Sequence, residues 1–147
     1  MAMKKNYQTL KYIKWISFSI IVLYATHPVL NGLGCDFHSE IDDSKRSIYT
    51  TCKFGVINSI VLDKSTKEAF NYSGLYGKSG DTIFFYVHKK ERLKEKEEGA
   101  VNFGAMLNNS QLYVVHVFTG KEYDMIVTHY PYYNGYKVKY VGVRGFF

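Results

Sequence analysis

The chain has 147 residues, of which 46% are apolar and 17% aromatic, which is enough for one domain with a hydrophobic core. Its formal net charge is +6, but residues 1–34 contain four lysines and no acid, so residues 35–147 carry 15 basic and 13 acidic side chains, or +2. A nearly neutral domain lacks the clustered positive charge that is typical of nucleic-acid-binding proteins. Two cysteines are too few for a scaffold held together by several disulfides.

The N-terminal region has the pattern of an export signal. Four lysines within residues 4–14 precede an apolar run, Trp15–Ala25. A basic segment followed by about 7–15 apolar residues is typical of a signal peptide, whereas a membrane span needs about 20. We therefore predict a signal peptide within residues 1–34, with its cleavage site undetermined, and a single domain over 35–147. The alternatives are an uncleaved membrane anchor and a buried helix.

Residues 38–52, HSEIDDSKRSIYTTC, are predicted to form a helix. Ser39 is a favourable N-cap, and Asp42 three residues later completes a capping-box pattern. A helix of this length would hold Cys35 and Cys52 further apart than the ~4.4–6.8 Å between Cα atoms that a disulfide requires. Export favours oxidation, so a Cys35–Cys52 bond is a candidate that needs a frayed helix end.

Strands are predicted for most of the remaining chain, because β-branched and aromatic residues recur between turn signals. The predicted strands are 55–62, 82–88, 111–118, 123–130 and 136–143, and the main turn signals are 71–81, 119–121 and 131–135. Asn134-Gly135 favours a type I′ turn, which predicts a hairpin over 123–143. The charged segment 88–99 is predicted to be a solvated loop or short helix. One helix followed by antiparallel strands predicts an α+β domain.

The sequence shows no recognisable catalytic motif. None of its histidines has metal-ligand spacing, and no phosphate-binding loop or nucleophile motif is present. We therefore predict no metal and no cofactor. Four tyrosines near the hairpin tip form a candidate contact surface for a partner, with packing beside the strands as the alternative role. These tyrosines are Tyr130, Tyr132, Tyr133 and Tyr136.

Three segments together resemble a known layout: CDFHSEIDDSKRSIYTTC (35–52), DMIV (124–127) and YVGVRG (140–145). This layout is similar to that of the microbial guanyl-specific ribonucleases and of the ribonuclease-like secreted effectors of powdery-mildew fungi. The resemblance implies a helix packed on an antiparallel β-sheet. It also implies a virulence effector that is secreted, is taken up into the host cell and acts by binding a host protein, with RNA as a second class of target.

The same resemblance argues against ribonuclease activity. The ribonucleases have an arginine where this chain has Met125, and a histidine after Gly-Val where this chain has Arg144 and Gly145. Cleavage of RNA by that route needs an acid–base pair and a cation on the phosphate. We therefore predict a non-enzymatic protein, in which Arg144 is a candidate phosphate contact but cannot act as an acid at neutral pH.

Two other functions fit the sequence. The first is a bacterial exported or membrane-tethered small β-rich immunity or inhibitor protein, with lipid on Cys35 as one form of tether. The second is a nuclease that uses His116, His129 and Glu122. Strict alternation along a strand would place Glu122 and His129 on opposite faces, which argues against a joint site.

Overall fold

The computed structural model describes residues 2–95, 110–131 and 133–147, with side chains from residue 11 onward. One helix, α1 (Ala2–Gly32), precedes eight strands. The strands are β1 (Cys35–Asp42), β2 (Arg46–Lys53), β3 (Val56–Asp63), β4 (Ala69–Ser79), β5 (Thr82–Lys94), β6 (Leu112–Phe118), β7 (Asp124–Tyr130) and β8 (Asn134–Arg144).

The strands form a closed antiparallel barrel in which each strand pairs with its neighbours in the sequence. Closure is achieved because β1 pairs with both β2 and β8. Alternate side chains of each strand point to the interior, as the burial of Cys35, Phe37 and Ser39 between exposed neighbours shows on β1. A barrel of eight strands has an interior that side chains fill or that holds one small ligand.

The β1–β8 seam depends on a glycine. Gly142 lies opposite Phe37 and has a φ of +115°, and a Cβ added to it would lie 2.2 Å from the backbone oxygen of Asp36. Only a residue without a side chain allows this close approach and this backbone conformation.

The larger of two hydrophobic clusters lies at the end of the barrel where β1 begins and β8 ends. Its buried residues come from all the strands around that end, because each strand directs one or two apolar side chains inward there. They are Cys35, Phe37, Cys52, Ile57, Tyr76, Ile83, Val117, Ile126 and Val138.

The predicted helix over 38–52 is wrong, because these residues form β1, a turn and β2. Cys35, Phe37 and Ile41 fall at alternate positions together with Ser39, which is the period of a strand, and this pattern prevails over the capping box. The candidate disulfide is confirmed: Cys35 and Cys52 are bonded, with their Cα atoms 5.7 Å apart. A hairpin brings the two cysteines close where a helix would have separated them.

Two further predicted segments differ from the structure. Residues 71–79 belong to β4 and do not form the predicted turn. Gly74 allows β4 to lie close to β5, because a Cβ added to it would lie 2.1 Å from the backbone oxygen of Tyr86. Residues 88–94 extend β5 and pair with β4, so the prediction of a loop or helix there is wrong as far as the described residues reach. Their charged side chains are largely exposed, but Lys90 and Arg92 pack against the Phe70 ring of β4, at 4.5 and 5.5 Å from its centroid.

The terminal hairpin is confirmed, but its turn is not the predicted one. β7 pairs with β8 in a register that runs from Asp124 opposite Val138 to Thr128 opposite Asn134. Asn134 and Gly135 therefore begin β8 instead of forming the predicted turn. The predicted strands over 55–62, 82–88 and 111–118 are confirmed as β3, part of β5 and β6.

The predicted class, a helix packed on an antiparallel sheet, is also confirmed, although the helix is α1. Lys11–Gly32 is long and apolar enough to cross a membrane, with a mean hydropathy of 1.4, and it lies near the N-terminus, where signal sequences share these properties. This apolar helix and the disulfide are compatible with export.

We predict that the Cys35→Ser/Cys52→Ser double variant loses about 3 kcal/mol of unfolding free energy, because the bond closes a loop with a sequence separation of 17. Urea unfolding in mild detergent, followed by circular dichroism, measures the difference. Equal stability of the variant and the oxidised protein would contradict the expectation.

We also predict that Gly142→Ala destabilises the barrel by about 3 kcal/mol, because alanine is disfavoured at a positive φ and its Cβ would clash with the backbone of β1. Gly135→Ala is the matched control: it lies in the same strand, and an added Cβ would meet only the Met125 Cε atom, at 4.0 Å. The control is expected to change stability by less than about 0.5 kcal/mol in the same urea titration.

Candidate functional site

The barrel contains a cavity of about 160 Å³, to which all eight strands contribute side chains. The side chains at its inner end are buried, as in Phe37, Ile57 and Tyr76. Those at its outer end, such as Ile41 and Tyr136, are half-buried. The cavity therefore extends from the core toward the end of the barrel that carries the β1–β2 turn.

An aromatic cluster forms the floor of the cavity. The ring of Phe37 makes edge contacts with Tyr76 and Tyr140, at centroid distances of 5.6 and 5.4 Å. The Tyr76 hydroxyl donates a hydrogen bond of 2.8 Å to the backbone oxygen of Arg144, and the Arg144 guanidinium donates one of 3.2 Å to Asp124. These contacts close the inner end.

Burial raises the pKa of both floor tyrosines above the usual range. For Tyr76, the nearby Tyr140 raises the pKa further, and the positive charge of Arg144 lowers it by less than burial raises it. For Tyr140, burial again dominates, with Arg144 opposing it and Asp124 adding to it. Both phenols therefore remain neutral hydrogen-bonding groups at physiological pH.

A belt of hydroxyl groups lies above the floor. It consists of Ser39, Thr50, Ser59 and Thr128. Thr50 and Ser59 share a hydrogen bond of 2.8 Å. Ser39 and Thr128 are only 4% and 9% exposed, and their hydroxyls make no hydrogen bond to the residues that the structure describes. Both residues line the cavity, so these two hydroxyls are available to a molecule in it.

Arg46 lies at the outer end of the cavity, and it is the only lining side chain in the described part of the chain that carries a charge at neutral pH. Its backbone N–H donates to Asp43 Oδ1 at 2.6 Å, which fixes the β1–β2 turn. Its guanidinium makes no hydrogen bond or ion pair within 4 Å with the described residues, but Asp63 lies opposite Arg46 in the register of β2 and β3. Burial would raise the pKa of nearby Asp63, but hydrogen bonds from Ser65 and Thr66 and the charge of Arg46 lower it.

The predicted contact tyrosines do not form one cluster. Tyr136 lines the cavity, whereas Tyr130 and Tyr133 are 52% and 79% exposed. Tyr132 lies outside the described residues. Arg144 is at the opposite end of β8 from this turn, so the structure separates it from the tyrosines. A binding role of the exposed tyrosines stays a prediction.

The histidines considered for a nuclease lie on the outer surface of the barrel. The rings of His116 and His129 are 6.1 Å apart, and His129 also contacts Tyr133 at 5.3 Å. Glu122 lies in the loop before β7, and no ion pair joins it to either histidine among the described residues. The predicted absence of enzymatic activity stays a prediction.

Sequence reasoning missed the inner residues of β1 and β2, including Ser39, Thr50 and Arg46. The signal that could have revealed them is the alternation in CDFHSEID, where every second residue turns inward. Once β1 is recognised, its pairing with β2 places Arg46 and Thr50 on the interior face. That a cavity remains between these side chains follows only from closure of the barrel.

The described residues contain no group of three or more His, Cys, Asp or Glu side chains placed to hold a metal ion. Comparisons with protein-family models, with curated proteins and with solved structures find no match to this chain.

The buried tyrosines predict a loss of stability at alkaline pH. Because the unfolded chain ionises its tyrosines near pH 10 while Tyr140 stays protonated in the fold, the unfolding free energy falls as the pH rises above about 10. We expect this fall to be smaller in Tyr140→Phe and unchanged in Tyr133→Phe, whose tyrosine is exposed. Urea unfolding at a series of pH values tests this, and equal slopes in the two variants would contradict it.

Proposed function

We propose that this protein binds a small molecule with an apolar body and a negatively charged group, such as a carboxylate, inside the barrel. The observation that carries the proposal is the guanidinium of Arg46, which has no ion pair within 4 Å in the described residues and is the only charged group among the side chains that line the cavity there. The apolar floor would take the body of the ligand, and Arg46 would take its charge.

The cavity volume sets the size of the ligand. An engineered apolar cavity of about 150 Å³ in another protein binds benzene, and the present cavity, of about 160 Å³, also continues outward to Arg46. A ligand of roughly 8–12 non-hydrogen atoms fits this space. A micromolar dissociation constant corresponds to a binding free energy of about −8 kcal/mol. Each non-hydrogen atom would then contribute about 1 kcal/mol or less, and the best small ligands reach about 1.5 kcal/mol per atom.

The polar groups of the cavity define the chemistry of the ligand. Arginine presents its donors in a planar fork that matches a carboxylate, and such charged hydrogen bonds are stronger than neutral ones. Ser39 and Thr128 would bond to a second polar atom nearer the floor. Aromatic rings would contact Phe37 and Tyr76 edge-on, as those two residues already contact each other. A small aromatic carboxylate meets the first and third conditions, and one that also carries a ring hydroxyl meets all three.

The unfilled space is unfavourable for the protein alone. At about 24 cal/mol per Å³, a closed cavity of 160 Å³ would cost about 4 kcal/mol, and this partly open one costs less. Larger apolar residues at the positions of Ser39 and Ser59 would remove much of the space. Small polar residues inside the barrel are therefore explained better by ligand binding than by stability.

We predict that phenylacetate binds more tightly than its neutral amide, and that Arg46→Gln weakens phenylacetate binding about tenfold, the effect of one charged hydrogen bond at a half-exposed site. Binding of the amide should not change in this variant. Isothermal titration calorimetry on the full chain in mild detergent measures the affinities. Lys45→Gln is the control, because it removes an adjacent exposed charge outside the cavity.

The possible outcomes separate the parts of the proposal. If the acid and the amide bind equally and Arg46→Gln has no effect, the cavity binds ligands but does not select anions. If neither compound binds, at millimolar concentration, and neither perturbs the NMR signals of Thr50 and Thr128, the proposal of a small aromatic ligand is wrong.

The functions expected from the sequence are kept as separate proposals. The effector role rests on the ribonuclease-like layout, and the helix between the two cysteines, on which part of that resemblance depended, is a hairpin in the structure. The alternative, an exported or membrane-tethered small β-rich protein, needs no such helix. The firm contact between α1 and the barrel, described below, favours it over a freely secreted effector.

A further inference from the structure

The surface of α1 is unsuited to water. Large apolar side chains along it are exposed, including Trp15 at 61%, Ile21 at 65% and Leu23 at 64%. The apolar stretch Lys11–Gly32 has 22 residues, which corresponds to about 33 Å of helix and matches the ~30 Å hydrocarbon core of a bilayer. The helix therefore needs an apolar surrounding that the barrel does not provide.

The last turn of α1 is part of the folded domain. Asn31 is 2% exposed, and its Nδ2 donates to the backbone oxygens of Lys78 at 3.1 Å and Phe147 at 3.3 Å. Its Oδ1 accepts a 2.9 Å hydrogen bond from the Phe147 backbone N–H. Gly32 packs so closely on β4 that an added Cβ would lie 2.5 Å from the oxygen of Tyr76. Cleavage directly before Cys35 would remove all these contacts.

The barrel surface around this junction is apolar. Four side chains are exposed there and form what we call the base patch: Leu33 at 42%, Phe54 at 74%, Phe146 at 65% and Phe147 at 84%. Leu33 packs on Gly55, which lies next to Phe54 in the β2–β3 turn, and the Phe146 ring packs on Gly34. The base patch therefore surrounds the point where the apolar helix leaves the barrel.

Lysines flank the base patch. The Lys53 ammonium lies 5.9 Å from the centroid of the Phe54 ring, and the Lys78 ammonium donates a hydrogen bond to the backbone oxygen of Phe147. Phe and Leu side chains beside lysines are typical of protein surfaces that lie in a bilayer interface, where the apolar groups enter the boundary of the acyl chains and the ammonium groups contact lipid phosphates.

From these observations, we infer that α1 is retained as a membrane anchor and that the base patch rests in the headgroup region of the same bilayer. The occupant of the apolar surface is the lipid into which the helix already extends. The closed floor of the barrel then faces the membrane, and the outer end of the cavity with Arg46 faces away from it. This inference does not depend on what the cavity binds.

Tryptophan scanning in vesicles tests the orientation. The full chain carries Trp15→Phe, which removes its only tryptophan, together with Phe54→Trp in the base patch or with Tyr133→Trp in the β7–β8 turn at the other end of the barrel. The vesicles contain phosphatidylcholine, brominated near the headgroup end of its acyl chains, and phosphatidylglycerol. We expect strong quenching and a blue shift for the tryptophan at position 54, and neither for the one at position 133.

The N-terminus of the membrane-bound protein provides the second measurement. We expect intact-mass analysis of the protein from the membrane fraction of expressing cells to show a chain that retains residues 26–34 and the apolar helix before them. A folded product that begins at residue 26 or 35 would overturn the anchor. Unquenched tryptophan at position 54 in an anchored protein, or equal quenching at positions 54 and 133, would overturn the orientation.

Discussion

The pairing of β1 with β8 is the contact on which the other features depend. Without it the eight strands would form an open sheet with two unpaired edges and no interior, and open edges favour aggregation. Gly142 makes the contact possible, because its backbone conformation and its distance from Asp36 exclude a side chain. The disulfide from Cys35 to Cys52 supports the same region, since it ties the first residue of β1 to the adjacent strand.

Closure gives the barrel two chemically different ends. At one end Phe37, Tyr76 and Tyr140 pack into a floor that Arg144 and Asp124 complete. At the other end Arg46 lies above a belt of hydroxyls, with Asp63 as its neighbour on β3 and no ion pair within 4 Å among the described residues. The packed end contains the larger cluster of buried apolar side chains, and a smaller one, Phe70, Tyr72 and Val87, lies on β4 and β5.

The membrane and ligand proposals are connected through this difference between the ends. The apolar helix and the base patch adjoin the packed end, so a bilayer there would not obstruct the cavity. A ligand would approach from the aqueous side, where Arg46 lies. The barrel can therefore be tethered and bind ligand at the same time, and no hinge between α1 and the barrel is required, because Asn31 joins them by three hydrogen bonds.

The sequence by itself determined the local elements whose patterns are unambiguous: the apolar N-terminal segment, the strands β3, β6 and β7, and the pairing of β7 with β8. Prediction from the sequence failed where a helical pattern and a strand pattern occur in the same residues. Residues 38–52 carry a helical capping box as well as a strand alternation, and a helix of this length would have kept Cys35 from Cys52. Pairing with β3 and β8 decides for strands, because it satisfies the backbone groups of β1 and β2 along both edges.

Only the tertiary structure decided that the strands close into a barrel, that space remains inside it and that Arg46 stands at its outer end. Alternation specifies which side chains turn inward, but the size of the interior depends on the number of strands and on a seam between residues more than a hundred positions apart. The same holds for the tyrosines near the hairpin tip. Their spacing made them one predicted surface, but alternation along β8 directs Tyr136 inward, and a register shift between β6 and β7 precedes the exposed Tyr130.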